Sequence, residues 1–222
     1  IHLPEGNSRI NVKVKHGDET EINGQGPVIT EEAINELFAK LDTLTKEDIL
    51  VLAGSIPNTL PEDIYEKILA RLESKGIRVV VDATKDLLLN VLKYHPFLIK
   101  PNNHELGEMF GTVCKTDEDI VHYAKKLQEK GAVNVLISMA GDGAILITED
   151  GQNIKMGTPK GKVVNSVGAG DSMVAGFITG YIRGGNYEEA LKSGTAAGSA
   201  TAFSEGLASL EMYEKMLKQI TE

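Results

Sequence analysis

The run from Val164 to Tyr181, VNSVGAGDSMVAGFITGY, joins a glycine-rich turn to an amphipathic helix and sets an aspartate at the junction. Those residue types at that spacing suit phosphoryl chemistry. Gly168, Ala169 and Gly170 leave backbone N–H groups unhindered, and the first turn of a helix offers donors without intrahelical partners plus the positive end of the macrodipole. A phosphate, or the charge developing on a transferring phosphoryl group, belongs in such a place. Asp171 stands where its carboxylate could take a proton from a substrate hydroxyl while the amides hold the phosphoryl group. Alone, the four residues GAGD also describe an ordinary strand-to-helix turn with an aspartate near the N-cap.

Two further segments carry groups of the right kind. Phe97 to Glu105, FLIKPNNHE, reads as a short apolar strand that ends in Lys100, Pro101 and Asn102 and offers Glu105 three residues later. Strand ends of this sort are where α/β enzymes place ligand groups. Asn102 and Glu105 are hard oxygen donors, suited to Mg²⁺ directly or through its waters, because that ion keeps part of its hydration and is bound by few carboxylates. The plain alternative for Glu105 is a solvated residue in the first turn of a helix predicted over Glu105 to Phe110. Asn134 to Gly143, NVLISMAGDG, reads as a second apolar strand running into a small-residue turn before a hairpin partner, Ala144 to Thr148. Ser138, Gly141 and Gly143 would let the chain approach a nucleotide's phosphates and sugar, and a plain glycine hairpin is the alternative.

The succession KPNNHE, SMAGDG and NSVGAGD resembles the ribokinase-like, or phosphofructokinase B, family of sugar kinases. The resemblance implies an ATP-dependent carbohydrate kinase with a three-layer α/β/α sandwich, a mostly parallel sheet and a small β lid. It makes Asp171 the catalytic base and Gly168, Ala169 and Gly170 the anion hole. Lys100, Asn102, Ser138, Gly141 and Gly143 become nucleotide contacts, and Asn102 with Glu105 becomes the pair that positions Mg²⁺. Two departures stand out. Asn165 and Ser166 replace an Asp-Thr common before the GAGD segment, which puts a monovalent-cation site in doubt, and Ala140 stands where glycine is common. Ser8 to Pro27 and Gly198 to Ser209 are similar to the branch that acts on ketohexose monophosphates. Fructose 1-phosphate is the expected substrate and tagatose 6-phosphate the competitor. In that branch Arg9 is the candidate for the sugar phosphate, its guanidinium suited to a bidentate contact, and Ser55 in the AGS turn is a weaker candidate. A non-catalytic nucleotide- or sugar-phosphate-binding module is the reading from another class, and Asp171 weighs against it.

Composition bounds these readings. The chain has 222 residues, 41% of them hydrophobic, enough for one good core. A net charge of −9, from 23 basic and 32 acidic residues, argues against nucleic acid or an anionic membrane as the main partner. The absence of a membrane-length apolar stretch or a signal-like segment leads to an expected cytoplasmic location. Cys114 is the single cysteine, so no intrachain disulfide forms, and His2, His16, His95, His104 and His122 show no metal-ligand spacing. The opening IHLPEGNSR begins without methionine, and the chain is expected to lack the family's N-terminal portion while forming one domain over residues 1–222.

The elements that must position these groups alternate as in a parallel α/β sheet. Ile10, Val12 and Val14 alternate with polar residues, and Glu19 to Ile22 can pair with them around a turn at Gly17 and Asp18. This pair, within residues 9–26, is the candidate lid, which in many members of the family also makes a homodimer contact. Thr30 is predicted to cap a helix with Ile34, Leu37, Phe38 and Leu41 on its apolar face. A strand over Ile49 to Ala53, a helix from Pro61 to Ser74, a strand over Arg78 to Asp82 and a helix near Asp86 to Lys93 follow. Asp117 to Lys130 is helical and Gly131 stops it. Helices over Ala169 to Arg183, Tyr187 to Phe203 and Leu210 to Ile220 close the chain, the small residues from Ser193 to Ala202 packing on the GAGD helix.

Overall fold

The computed structural model describes residues 1–3, 5–16 and 18–221. Gly17, at the expected hairpin turn, lies outside the described residues. The chain divides into two compact units, Ile1–Leu50 with Gly54–Arg78, and Val51–Ala53 with Val79–Glu222.

In the first unit, β1 (Asn11–His16) and β2 (Asp18–Asn23) form an antiparallel ribbon in which Val12 faces Ile22 and Val14 faces Thr20. Alternation puts Ile10, Val12 and Val14 on one side. These residues and Ile22 are 44 to 71% exposed, so the ribbon's apolar side is bare within this chain. Helix α1 (Glu31–Asp42) starts where the Thr30 hydroxyl accepts from the Ala33 N–H, with Glu31 and Glu32 complementing the dipole. Helix α2 (Ile64–Leu72) begins three residues later than expected and extends through a 3₁₀ turn to Lys75. The two are clamped by Arg71, whose fork donates to both carboxylate oxygens of Asp42 at 2.6 Å each.

The second unit is built on a six-stranded sheet whose order follows the chain: β3 (Ile49–Ala53), β4 (Arg78–Asp82), β5 (Leu98–Ile99), β6 (Asn134–Ser138), β7 (Ala144–Ile147) and β8 (Asn153–Met156). β4, β5 and β6 pair in parallel, and β6, β7 and β8 form an antiparallel meander. Between the parallel strands run α3 (Lys85–Val91), α4 (Asn103–Met109) and α5 (Asp117–Glu129). Right-handed crossovers along a sheet that grows in one direction put them on one face. The other face is covered by the chain end: α6 (Ala169–Gly184), α7 (Tyr187–Ala202) and α8 (Leu210–Thr221), of which α7 packs on β7 and β8. All four residues of β7 are buried, as a strand between two helical layers requires. Val80, Leu98, Val135, Leu136 and Ile137 are fully buried beside them.

Helices α6 and α7 approach closely because their contact carries glycine. A Cβ on Gly176 would lie 2.6 Å from the Ser193 carbonyl oxygen, and one on Gly180 would lie 2.7 Å from that of Glu189. At the opposite end of β6, buried Asn134 donates to the Phe97 carbonyl at 2.9 Å and to the Tyr187 hydroxyl at 3.2 Å, and Tyr187 in turn donates to Glu149 at 2.6 Å. Burial, and then the Glu149 bond, push the Tyr187 phenol well above its ordinary range.

Candidate active site

The parallel strands end in a row of polar groups. Asp82 closes β4, Lys100 and Asn102 continue β5, and Ser138 closes β6, joined to Asn102 by a bridge and to the Pro101 carbonyl by its own N–H at 3.2 Å. This is the carboxyl edge of the sheet, where the pleat releases side chains into a crevice. Asn102 caps α4. Its Oδ1 accepts from the His104 and Glu105 N–H groups at 2.9 and 2.8 Å, while Glu105 Oε2 accepts from the Asn102 N–H at 2.8 Å. The Asn-x-x-Glu spacing is therefore a reciprocal capping box. It also moves the helix start to Asn103, two residues earlier than the sequence pattern predicts.

Helix α6 begins differently. Its N-cap is Gly168, in the left-handed conformation (φ 80°), which has no side chain to return a hydrogen bond. Helices α1, α5 and α7 start under Thr30, Thr116 and Asn186 side chains; α2 and α3, like α6, have no side-chain cap bond, but among the described residues only α6 starts on a left-handed glycine. The loop feeding α6 is tied to α7: the N–H groups of Val164 and Asn165 both donate to the Ala202 carbonyl, at 2.8 and 3.1 Å. Asn165 also donates from its side chain to the Glu205 carbonyl at 3.0 Å, a bond that an aspartate could not make. Asp171 is exposed in the first turn, and Ser172 beside it shares a 2.8 Å hydrogen bond with Thr201.

A cleft of about 560 Å³ joins the two regions. Asn102, His104, Ser138, Gly141, Gly143, Ala169 and Gly170 line it, with Met139, Met173 and Phe203 supplying apolar wall. Size and lining suit a ligand with one flat apolar part and one charged part. Gly141 has nothing within 4 Å of where a Cβ would stand, so it opens onto the cleft. Gly143 has another cause: φ is 92° and a Cβ would fall 2.0 Å from the Met156 carbonyl oxygen, so the hairpin itself demands glycine. Ala140, just before them, sits at φ 48°, a conformation that glycine adopts without strain.

Lys100 is 7% exposed, with Nζ 3.3 Å from Asp82 Oδ1. Burial pushes the Asp82 carboxyl up, Lys100 draws it down, and the charges of Asp171 and Glu105 push it up again. The four charged groups therefore share one electrostatic neighbourhood. Asp82 lay in no sequence motif, and an aspartate after three valines was its only signal. Among the described residues no three His, Cys, Asp or Glu side chains converge as a metal cage. The donor set fits a Mg²⁺ that arrives on a ligand's phosphates and keeps most of its water. Arg9 is half-buried in the first unit with its Cβ near Gly26, and Ser55 is exposed after Gly54 (φ 83°). Among the described residues no helix is long and apolar enough to cross a membrane.

An open helix start facing a cleft at the carboxyl edge of an α/β sheet defines the class of a phosphotransferase with the ribokinase-like fold. Residues 3–212 match the pfkB family of carbohydrate kinases, and the chain belongs to that family. It is 51% identical over 215 residues to the 1-phosphofructokinase of Bacillus subtilis, covering 97% of this chain and 71% of that protein. It is 37% identical over 217 residues to the D-tagatose-1-phosphate kinase of Bacillus licheniformis, covering 97% of this chain and 71% of that protein. The crystal structure of phosphofructokinase-2 from Escherichia coli in complex with substrates and products superposes with a TM-score of 0.86 at 25% identity, covering 96% of this chain and 71% of that one.

Proposed function

We propose that this protein transfers the γ-phosphoryl group of ATP to the free primary hydroxyl of fructose 1-phosphate, giving fructose 1,6-bisphosphate. The observation that carries the reading is the uncapped start of α6 at Gly168, with Asp171 in its first turn and the Lys100 ammonium against Gly170. The relative at 51% identity, named 1-phosphofructokinase, supports the choice of sugar.

In this reading Asp171 takes the proton of the attacking hydroxyl as the oxygen bonds to phosphorus. The N–H groups of Gly168, Ala169 and Gly170 donate to the phosphoryl oxygens as their charge grows, and ADP leaves with the bond to its β-phosphate oxygen broken. Lys100, Asn102, Ser138, Gly141 and Gly143 hold the nucleotide in the cleft, and Arg9 and Ser55 serve the sugar phosphate. Glu105, whose capping bond uses Oε2, would hold Mg²⁺ with the nucleotide's phosphates, and Asn102, whose Oδ1 already accepts two N–H bonds, would reach the ion only through its water; the ion would supply charge neutralisation there. The bare side of the β1–β2 ribbon is proposed as a homodimer contact, and the cytoplasm as the location.

ADP release is the test, with ATP, Mg²⁺ and each of fructose 1-phosphate, fructose 6-phosphate, tagatose 1-phosphate and tagatose 6-phosphate. A kcat/KM at least about tenfold higher for fructose 1-phosphate is expected, a margin of about 1.4 kcal/mol in transition-state binding. Preference for tagatose 1-phosphate would move the assignment to the reading favoured by the relative at 37% identity. Nucleotide binding with no turnover would leave a binding module.

A further inference from the structure

Asp82 sits at the end of β4 between apolar Val81 and Ala83, and its carboxylate meets Lys100 across the β4–β5 register, in which Val81 lies opposite Ile99. The side chains of the two are 19% and 8% exposed. Lys100 Nζ stands 3.1 Å, and Cε 3.5 Å, from where a Cβ on Gly170 would lie. The ammonium is thus trapped between a strand-end carboxylate and the second residue of α6. A lysine is a point charge on a flexible stem, and nothing in its own chemistry fixes where that charge sits. Burying such a pair gains little stability over apolar residues of the same volume. What the pair does gain is a fixed cation beside backbone donors that have no capping side chain.

We infer that Asp82 is a positioning residue for phosphoryl transfer: it holds the Lys100 ammonium over Gly170, against the first turn of α6, so that cation and amides face the transferring group together. The inference rests on the proposed reading of Gly168 to Asp171 as the phosphoryl site. A side chain at 170 would place its first carbon 3.1 Å from Nζ and displace the ammonium by a few tenths of an ångström. The same role accounts for a carboxylate at 82, because an amide would leave the ammonium without its counter-charge.

The test moves the carboxylate without removing it. Asp82→Glu keeps the charge and displaces it by one methylene, about 1.5 Å. Expected are a Tm within a few degrees of the unsubstituted protein, a kcat lower by about tenfold, and a KM for fructose 1-phosphate changed no more than about twofold. In a Lys100→Met background the same substitution should cost nothing further. The coupling is read a second time, without sugar, in the affinity of a non-hydrolysable ATP analogue measured by calorimetry, where Asp82→Glu should weaken binding only when Lys100 is present. A protein silent on every sugar phosphate that still shows this coupling would remove the sugar assignment and keep the positioning role. Unchanged kcat and analogue affinity in Asp82→Glu, or losses that persist undiminished beside Lys100→Met, would overturn the inference. If Asp82→Glu fails to fold, the doubly neutral Asp82→Asn/Lys100→Met protein decides. Activity equal to that of Lys100→Met supports the role, and a further drop overturns it.

Discussion

An exposed carboxylate in the first turn of a helix contributes roughly 0.3 to 1 kcal/mol to folding, whereas a general base contributes about 10² to 10⁴ in rate. Asp171→Asn is therefore expected to lower kcat by about that factor with a Tm within 1 or 2 degrees, read by coupled ADP release and thermal unfolding. Near-normal turnover would remove Asp171 from the mechanism. Ala140 makes the opposite kind of case, since its φ of 48° costs an L-residue about 1 kcal/mol, partly offset because alanine loses less entropy than glycine on folding. Ala140→Gly should raise stability in urea by about 0.5 kcal/mol, and a loss would show that the turn is not strained. The candidate residues stand out in the sequence because each lies in a motif whose neighbours share its proposed purpose. Asp82 was not, since an aspartate after VVV also describes any solvated strand end, and its partner at Lys100 is chosen by strand register. Asn102 and Glu105 were legible as a pair, but their reciprocal capping bonds became visible only with the helix start at Asn103.

Among the elements, α6 and α7 set the site's geometry, and their glycines set the distance between them. Gly180→Val would drive a branched side chain into the Glu189 carbonyl and the Ser193 side chain, 2.7 and 2.8 Å from a first carbon alone. An overpacking loss of about 1 to 3 kcal/mol is expected, with kcat falling as the loop tied to Ala202 shifts. Chemical denaturation with parallel kinetics checks both. The stripe of small residues from Ser193 to Ala202 announced this contact, and the starts of α1, α5 and α7 were legible from Thr30, Thr116 and Asn186, whereas the Asn102 cap was missed and α4 placed two residues late. Capping carries a pH signature too. Hydrogen bonds from the Lys115 and Thr116 N–H groups hold the Asp119 carboxyl below its ordinary range. Its stabilisation is present above the unfolded carboxylate pKa near 4 and is lost as pH falls through the depressed folded value. Asp119→Asn should flatten the acid side of a Tm-against-pH curve from pH 6 to 2.5, and an unchanged slope would argue that the cap does not titrate. Asp82, raised chiefly by burial, acts in the opposite sense, its contribution fading as pH rises.

At the scale of the molecule, a two-stranded ribbon with Ile10, Val12, Val14 and Ile22 bare on one side is too small to stand that exposure unassisted. If it is the proposed dimer contact, Val12→Lys together with Ile22→Lys should convert the sedimenting species to a monomer at micromolar concentration, and an unaltered assembly would place the interface elsewhere. The α/β class was readable from alternating strands and helices. The division into two compact units was not, because β3 contributes residues to both and no composition shift marks the crossing. Strand order in the sheet equals strand order in the chain, so each strand's partner is its next neighbour in synthesis. Sheet pairing can accordingly keep pace with a ribosome adding residues from the N-terminal side. Asp82, Lys100 and Ser138 leave the ribosome before α6, and Asp171 only after all six strands. A nascent chain therefore presents one wall of the cleft, from Asn102 to Gly143, before α6 and α7 arrive to supply the other.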